Sequence, residues 1–151
     1  MRAKYLILLL ALTALALISS ACSENDPEYS FFAEEETVIN PPPPEQYAGL
    51  ANPLTDEPEA IAEGKALFRA NCSSCHGITG EGDGPAAGGL EPPPQNLALR
   101  QPNLSDSYLY WRIAEGGLMD PFNSLMPGWK GLMNEERIWQ VIAYLRTLFP
   151  L

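Results

Sequence analysis

The chain has 151 residues, with 9 basic and 19 acidic side chains and a formal net charge of −10 at pH 7. Nucleic-acid binding needs a basic stripe that neutralises phosphates, and the sequence has none, which argues against a nucleic-acid partner. With three cysteines and one histidine, the chain also has few side chains that could complete a structural zinc site.

The first predicted element is a secretory signal peptide over residues 1–21. Arg2 and Lys4 give it a positive start, an apolar run of 14 residues follows from Tyr5 to Ile18, and small residues come next. The run is shorter than the roughly 20 residues that a bilayer-spanning helix needs. We therefore expect the protein to be exported, with an uncleaved membrane anchor as the alternative.

Cys22 follows the predicted signal peptide directly. The preceding segment, Ile18-Ser19-Ser20-Ala21-Cys22, resembles a bacterial lipobox, although Ser19 stands where Leu is usual. We predict that Cys22 is lipidated and anchors the protein to the membrane on its periplasmic or extracytoplasmic face. Ordinary signal cleavage, which would leave Cys22 as a free thiol, is the alternative.

Residues 22–52 are interpreted as a tether. They are acidic and contain the run Pro41-Pro42-Pro43-Pro44, which favours an extended conformation without a packed core. We expect the tether to have no helix or strand of its own. Its acidic charge suits either contact with solvent or docking of a basic partner.

Residues 53–151 are predicted to form one small all-α domain. Thr55 or Asp56 is expected to cap the first helix, with Pro58 in its first turn. A loop rich in Gly and Pro, Gly77 to Asn103, separates this helix from the next. A loop of that length is usually functional or ordered around another group, so we expect a large apolar group within the domain.

Two further helices are predicted downstream of this loop. One spans Asp106 to Glu115, is capped by Ser105 and ends at Gly116-Gly117. The other follows Asn134, and its apolar residues recur at helical spacing from Ile138 to Leu148. No convincing strand pattern or internal repeat occurs in the sequence.

The sequence Cys72-Ser73-Ser74-Cys75-His76 has the Cys-x-x-Cys-His pattern that is typical of covalent haem attachment. The two thiols can form thioethers with the vinyl groups of one porphyrin, and the histidine can bind the iron. The alternatives are a zinc site, for which Cys22 is the one further cysteine, and a thioredoxin-like dithiol, which requires strands. We predict one covalent haem c.

The second axial position of the iron falls to a methionine, to a lysine or to no residue, because His76 is the single histidine. Met119, Met126 and Met133 all lie downstream of the motif. A methionine in such a domain is more often part of the core than a ligand. Met126 is preferred here because it lies in a loop that Pro127 stiffens.

The span from Glu63 to Leu148 resembles class I cytochromes c. The matching features are Gly64 and Phe68 in the first helix, CSSCHG, SLMPGW, and IWQVIAYLRTL with Tyr144. The resemblance implies an all-α class I cytochrome c fold of three to five short helices around the haem. It also implies that the first and last helices cross at Gly64 and Tyr144, and that His76 and Met126 are the axial ligands.

The same resemblance implies further residues of the haem site. In such cytochromes a proline carbonyl often accepts a hydrogen bond from the proximal histidine, and in the stretch PPPQNL the candidate is Pro94. Four apolar residues are expected to line the pocket: Leu97, Trp111, Leu118 and Trp129.

A haem with both axial positions filled by the protein has no coordination site for oxygen, so the sequence predicts a single-electron carrier and not an enzyme. PPPPEQYAGLANPL resembles the linker of the monohaem cytochrome subunit of alternative complex III, a quinol-oxidising complex. An anchored subunit of such a complex is the first hypothesis. The others are a free lipid-anchored shuttle to a terminal oxidase or photosynthetic reaction centre, and a haem enzyme or gas sensor in which Met126 does not bind the iron.

Overall fold

A computed structural model describes residues 40–149, and within them the secondary structure is entirely helical. The five α-helices are α1 Pro58–Asn71, α2 Ser73–His76, α3 Leu97–Arg100, α4 Asp106–Glu115 and α5 Glu135–Leu145. Glu45–Tyr47 and Gln101–Asn103 form 3-10 turns, and the described part of the chain has no strand. The all-α prediction is confirmed.

Most of the predictions that concern the membrane fall on residues outside the range 40–149. The predicted signal peptide, Cys22 and residues 23–39 of the predicted tether lie outside the described residues. Among residues 40–149, none of the helices has the length and apolar character needed to cross a bilayer.

The first and last long helices, α1 and α5, pack directly on one another. A Cβ atom at Gly64 of α1 would lie 2.5 Å from the carbonyl carbon of Gln140 and 3.1 Å from Cβ of Tyr144. One turn further along α1, the rings of Phe68 and Tyr144 have centroids 5.4 Å apart. The predicted crossing at Gly64 and Tyr144 is confirmed, because only a residue without a side chain permits this approach.

Side-chain caps set the starts of α4 and α5. The hydroxyl oxygen of Ser105 accepts a hydrogen bond from the backbone N–H of Tyr108 (3.1 Å), and Oδ1 of Asn134 accepts one from the N–H of Arg137 (3.0 Å). Each bond satisfies a backbone donor that the first turn leaves without a partner. Gly116, with φ of 75°, ends α4. Both predicted starts and the predicted end of α4 are confirmed.

The start of α1 differs from the prediction. The residue before the helix is Glu57, whose side chain makes no capping bond, and Pro58 is the first helical residue. The hydroxyl of Thr55 instead donates to the carbonyl oxygen of Asn52 at 3.0 Å. The cap predicted at Thr55 or Asp56 is therefore wrong, because Thr55 forms its hydrogen bond within the preceding turn.

Residues 40–54, which we call the strap, lie along α4 and α5. The buried side chain of Asn52 donates to the Trp139 carbonyl (3.0 Å), and its backbone N–H donates to Oδ2 of Asp106 (2.9 Å). The hydroxyl of Ser107 donates to the carbonyl of Leu50 at 2.9 Å. The strap is thus bonded to both helices, to a backbone carbonyl of α5 and to side chains of α4, through partners that lie more than 50 positions away in sequence.

Residues 40–52 of the strap belong to the segment 22–52 that the sequence predicts to be a tether without helix or strand, and here the structure differs. Glu45–Tyr47 form a 3-10 turn, and the strap's hydrogen bonds end on α4 and α5. A proline-rich composition indicates that a segment cannot fold alone. It does not indicate whether distant side chains will supply hydrogen-bond partners.

Candidate haem-binding site

The Cys-x-x-Cys-His motif lies where α1 passes into α2. Cys72 follows the last residue of α1, and its carbonyl oxygen accepts the N–H of His76 at 2.9 Å, so that the motif occupies one helical turn. The side chains of Cys72, Cys75 and His76 are all half-buried. Burial, and secondarily the neighbouring Cys75, raise the pKa of the Cys72 thiol to about 12. In the unmodified chain this thiol is therefore neutral at pH 7.

The ring of His76 is oriented by a backbone carbonyl. Its Nδ1 lies 3.2 Å from the carbonyl oxygen of Gln95, in the loop before α3. Burial lowers the pKa of His76, and the hydrogen bond to Gln95 opposes that shift only in part. When Nδ1 carries the proton and donates to Gln95, Nε2 is the nitrogen with a lone pair for a metal.

The prediction that Pro94 accepts this hydrogen bond is wrong, because the acceptor is the carbonyl of the next residue, Gln95. The carbonyl oxygen of Pro94 faces Gly82, where any side chain at position 82 would collide with it. Pro94 is half-buried and borders the site through this contact. The sequence indicates a proline by its residue type, whereas the acceptor is a backbone carbonyl oxygen, which every residue has.

The glycine-rich loop after the motif closes over α2. Backbone N–H groups of Gly82, Gly84 and Ala86 donate to the carbonyl oxygens of His76 (2.8 Å), Cys75 (3.1 Å) and Ser74 (2.8 Å). At the other end of this loop, the N–H of Leu97 donates to the carbonyl of Gly80 at 2.6 Å. The loop therefore satisfies the carbonyls that α2 leaves open. Within residues 40–149, no group of three His, Cys, Asp or Glu side chains is arranged to hold a metal ion.

Met126 lies in a segment, residues 124–130, that we call the methionine loop. Its carbonyl oxygen accepts the N–H of Gly117 (2.9 Å), and the N–H of Ser124 donates to the Gly117 carbonyl (2.8 Å). Beyond Met126, the N–H of Trp129 donates to the carbonyl of Ile113 at 3.0 Å. Hydrogen bonds on both sides of Met126 therefore hold the loop against the C-terminal end of α4.

The three candidate methionines have different surroundings. Met133 is 7% exposed and belongs to the apolar core. The carbonyl of Met119 accepts the N–H groups of Phe122 and Asn123 in a turn. Met126 is half-buried, packs against the core from outside and lies in the loop that α4 holds. Met119 is half-buried as well, but only Met126 of these two packs against the apolar core that Cys72 also contacts.

The predicted pocket residues separate into two groups. Leu97 and Trp129 pack against the same apolar core as Cys72 and Met126. Trp111 is buried but lies outside that cluster, where its ring contacts Phe122 with centroids 5.4 Å apart. Leu118 is 73% exposed. The structure thus brings Leu97 and Trp129 to one cluster with Cys72 and Met126, whereas Trp111 and Leu118 do not belong to that cluster.

Sequence reasoning does not identify two residues next to the methionine loop, Arg112 and Phe122. The guanidinium of Arg112 lies 3.4 Å from the centroid of the Phe122 ring and donates to the carbonyl of Gly116 at 2.5 Å. These contacts fix the segment that leads into the methionine loop. No local sequence signal identifies them, because the cation and the ring are ten positions apart and their separation depends on the path of the chain.

The donor chemistry fits a covalently bound haem c. One helical turn supplies two thiols for thioether bonds, and the next residue supplies an imidazole whose Nδ1 is already engaged. A separate loop with a fixed backbone carries Met126, whose side chain has a thioether sulfur. Leu125, which precedes Met126 in the chain, is 66% exposed and is available to a large apolar group.

Comparison with known proteins supports this interpretation. Residues 61–149 match the family model of cytochrome c. The chain is 26% identical over 98 residues to the cbb3-type cytochrome c oxidase subunit FixP of Rhizobium meliloti (strain 1021), which covers 61% of this chain and 29% of that protein. It is 28% identical over 109 residues to a subunit of nicotinate dehydrogenase from Pseudomonas putida, covering 70% of this chain and 9% of that protein. The chain thus spans less than a third of the length of either relative.

Similarity to solved structures concerns the fold. A chain of the Kuenenia stuttgartiensis reducing HAO-like protein complex superposes with a TM-score of 0.50 at 20% identity, covering 67% of this chain and 50% of that one. Cytochrome CL of Methylophaga aminisulfidivorans has a TM-score of 0.49 at 24% identity, covering 64% of this chain and 57% of that one. At 20% identity, the likeness to the first of these two structures extends to the fold alone.

Proposed function

The chain belongs to the cytochrome c family as a class I member with one covalently bound haem c, and from this premise we propose that His76 and Met126 ligate its iron in a membrane-anchored subunit of an electron-transport complex. Membership of this family makes the protein an electron carrier and not an enzyme. The axial ligands, the anchor and the complex are the parts that we propose.

When bound, haem c supplies an iron that alternates between the ferrous and ferric states, and His/Met ligation raises its reduction potential. The residues of this chain hold and orient it. Cys72 and Cys75 provide the covalent attachment, and Nε2 of His76 provides the proximal ligand. The carbonyl of Gln95 fixes the ring of His76 by accepting its Nδ1–H. Leu97 and Trp129 contribute apolar walls that exclude water.

The observation that carries the assignment of Met126 is the hydrogen bond from the Gly117 N–H to its carbonyl, at 2.9 Å. This bond, with those of Ser124 and Trp129, fixes the backbone on both sides of the ligand. A ligand held by a fixed backbone stays in place when the iron changes its oxidation state. Such a site favours electron transfer over the binding of a small molecule, which requires an open axial position.

Replacement of Met126 tests the ligand assignment. The ferric protein should have the weak charge-transfer band at the near-infrared edge that sulfur–iron ligation produces. Met126→Ala should abolish this band, lower the reduction potential and open the ferrous iron to carbon monoxide. Met119→Leu and Met133→Leu should leave all three properties unchanged, because they conserve volume.

Two results would contradict the assignment. If Met119→Leu loses the band and Met126→Ala keeps it, Met119 is the ligand. If the wild-type ferrous protein binds carbon monoxide readily, the axial position is open. The hypothesis of a haem enzyme or gas sensor then replaces that of an electron carrier.

We propose that a signal peptide over residues 1–21 is removed, that Cys22 then carries the lipid anchor, and that the tether after it continues in sequence into the strap. This proposal rests on the lipobox-like sequence before Cys22. Mass spectrometry of the membrane-purified protein should find a diacylglycerol-modified Cys22 at the mature N-terminus. Cys22→Ala should release the protein from membranes with an unchanged absorption spectrum. A soluble wild-type protein that begins at an unmodified Cys22 would refute the anchor.

Membership of a multi-subunit complex is supported by two observations. The relatives are named as subunits, one of a cytochrome c oxidase and one of a dehydrogenase. The stretch 41–54 resembles the linker of the cytochrome subunit of alternative complex III. We therefore propose a quinol-oxidising complex of that kind on the extracytoplasmic face. Purification from gently solubilised membranes should recover quinol-oxidising subunits in fixed proportion, whereas isolation of the protein alone would favour the lipid-anchored shuttle.

A further inference from the structure

The carboxylate of Glu115 joins two segments that are far apart in sequence. Glu115 is the last residue of α4, and one of its oxygens, Oε1, accepts a hydrogen bond from the hydroxyl of Tyr47 in the strap. The same oxygen lies 2.6 Å from Nζ of Lys130 in the methionine loop. Both partners lower the pKa of Glu115, the lysine more than the tyrosine, so the carboxylate is ionised at pH 7.

The backbone next to Glu115 has no room to move independently of the methionine loop. A Cβ atom on Gly116 would lie 2.5 Å from the carbonyl oxygen of Met126 and 2.6 Å from the carbonyl carbon of Pro127. The backbone N–H of Lys130 also donates to the carbonyl of Ala114, at 3.1 Å. A displacement of the end of α4 is therefore transmitted to the backbone of Met126.

Tyr47 is itself held in place by aromatic packing. Its ring centroid lies 6.0 Å from that of Tyr110 on α4, and the Tyr110 ring lies 4.4 Å from that of Trp139 on α5. The hydroxyl of Tyr47 thus reaches Glu115 from a ring that the core restrains. Such a restrained donor loses little conformational entropy when it forms its hydrogen bond.

We propose that Glu115 is a positioning residue for Met126. Its carboxylate connects Lys130 of the methionine loop to Tyr47 of the strap. This connection stabilises the geometry in which the Met126 sulfur binds the iron. The proposal rests on the ligation proposed above. The proposal has a consequence for the intact protein, because the strap, which leads back toward the proposed membrane anchor, is coupled to the axial ligand. A partner that displaces the strap therefore weakens the sulfur–iron bond.

Competition with imidazole measures this stabilisation. Imidazole added to the ferric holoprotein replaces the methionine sulfur, and its apparent Kd contains the free energy that holds Met126 on the iron. Tyr47 is half-buried, so solvent reduces its bond to the carboxylate to the net contribution of an ordinary intramolecular hydrogen bond. Its loss should tighten imidazole binding by about three- to tenfold in Tyr47→Phe and in Glu115→Ala. The double variant should bind imidazole as tightly as Glu115→Ala, because both changes break the same connection.

Tyr108→Phe is the matched control. It also removes a hydroxyl that bonds to the strap, at Oδ1 of Asn40 (3.2 Å), but this hydroxyl does not bond to Glu115 or to Lys130. Its apparent Kd for imidazole should equal that of the wild type. Tyr47→Phe keeps the aromatic ring and its packing, so it remains informative if Glu115→Ala does not mature into a holoprotein.

Three outcomes decide the proposal. Unchanged imidazole affinity in Tyr47→Phe overturns it. Equal tightening in Tyr47→Phe and Tyr108→Phe also overturns it, because the strap would then act through general stability. A wild-type protein without the sulfur–iron band refutes the ligation by Met126 itself, and this result is visible before any variant is made.

Discussion

Replacement of Gly64 by alanine should force α1 and α5 apart at their closest approach. The new Cβ would lie 2.5 Å from the carbonyl carbon of Gln140, whereas Cβ atoms in proteins essentially never approach another heavy atom closer than 3.0 Å. The carbonyl oxygen of Gln140 lies closer still, so the helices must separate by more than about 0.5 Å at this point, and the obstacle is backbone, which cannot rotate away. The packing of Phe68 on Tyr144, one turn along, loosens as a consequence.

The expected change in the free energy of unfolding follows from two opposing effects. Overpacking of a well-packed core costs about 1–3 kcal/mol. Alanine in place of a helical glycine recovers about 0.5–1 kcal/mol through its lower conformational entropy in the unfolded chain. The rigid backbone contact places Gly64→Ala at the upper end of the first range, so we expect a net loss of about 1–2.5 kcal/mol. In a domain of this size, that corresponds to a fall in Tm of roughly 5–15 °C.

Guanidinium unfolding of the ferric holoprotein, followed by far-ultraviolet circular dichroism, measures this loss. Gly131→Ala is the control, because a Cβ atom there meets no other atom within 4 Å and the φ angle is not left-handed. It should change the free energy of unfolding by less than about 0.5 kcal/mol. A Gly64→Ala variant as stable as Gly131→Ala would refute the helix crossing that organises the whole fold.

Two further predictions concern the polar contacts of the domain. Arg146→Met should lower the free energy of unfolding by about 2–4 kcal/mol, because Arg146 pairs with the partly buried Asp106 (2.5 Å) and donates to two loop carbonyls. The control Arg137→Met, at an exposed position, should lower it by less than about 0.5 kcal/mol. Equal losses in the two variants would contradict the structure. Burial and the Glu115 carboxylate raise the pKa of Tyr47 from 10.0 to about 12, so the stability that this hydroxyl contributes is complete below pH 10 and is lost as the pH rises through about 12. The difference in stability between wild type and Tyr47→Phe should therefore shrink across this range, and a difference that grows with pH would be inconsistent with the assigned hydrogen bond.

The sequence by itself determined the parts of this protein that depend on local chemistry. Ser105 and Asn134 indicated where α4 and α5 begin, because a capping side chain bonds to a backbone N–H three residues away. The Cys-x-x-Cys-His motif indicated the cofactor, because the thiols and the imidazole belong to one helical turn. Gly64 indicated a close helix crossing, because the absence of a side chain is itself a local property.

The tertiary structure alone decided which backbone groups and distant side chains meet. Gln95, and not Pro94, accepts the bond from His76, because any residue can present a carbonyl and only the path of the loop selects one. The strap joins the domain through partners on α4 and α5 that its own composition does not reveal. Glu115 reads as an ordinary helix-end residue in the sequence. It became a connection between Tyr47 and Lys130 only when the packing of the helices brought the strap and the methionine loop to the same carboxylate oxygen.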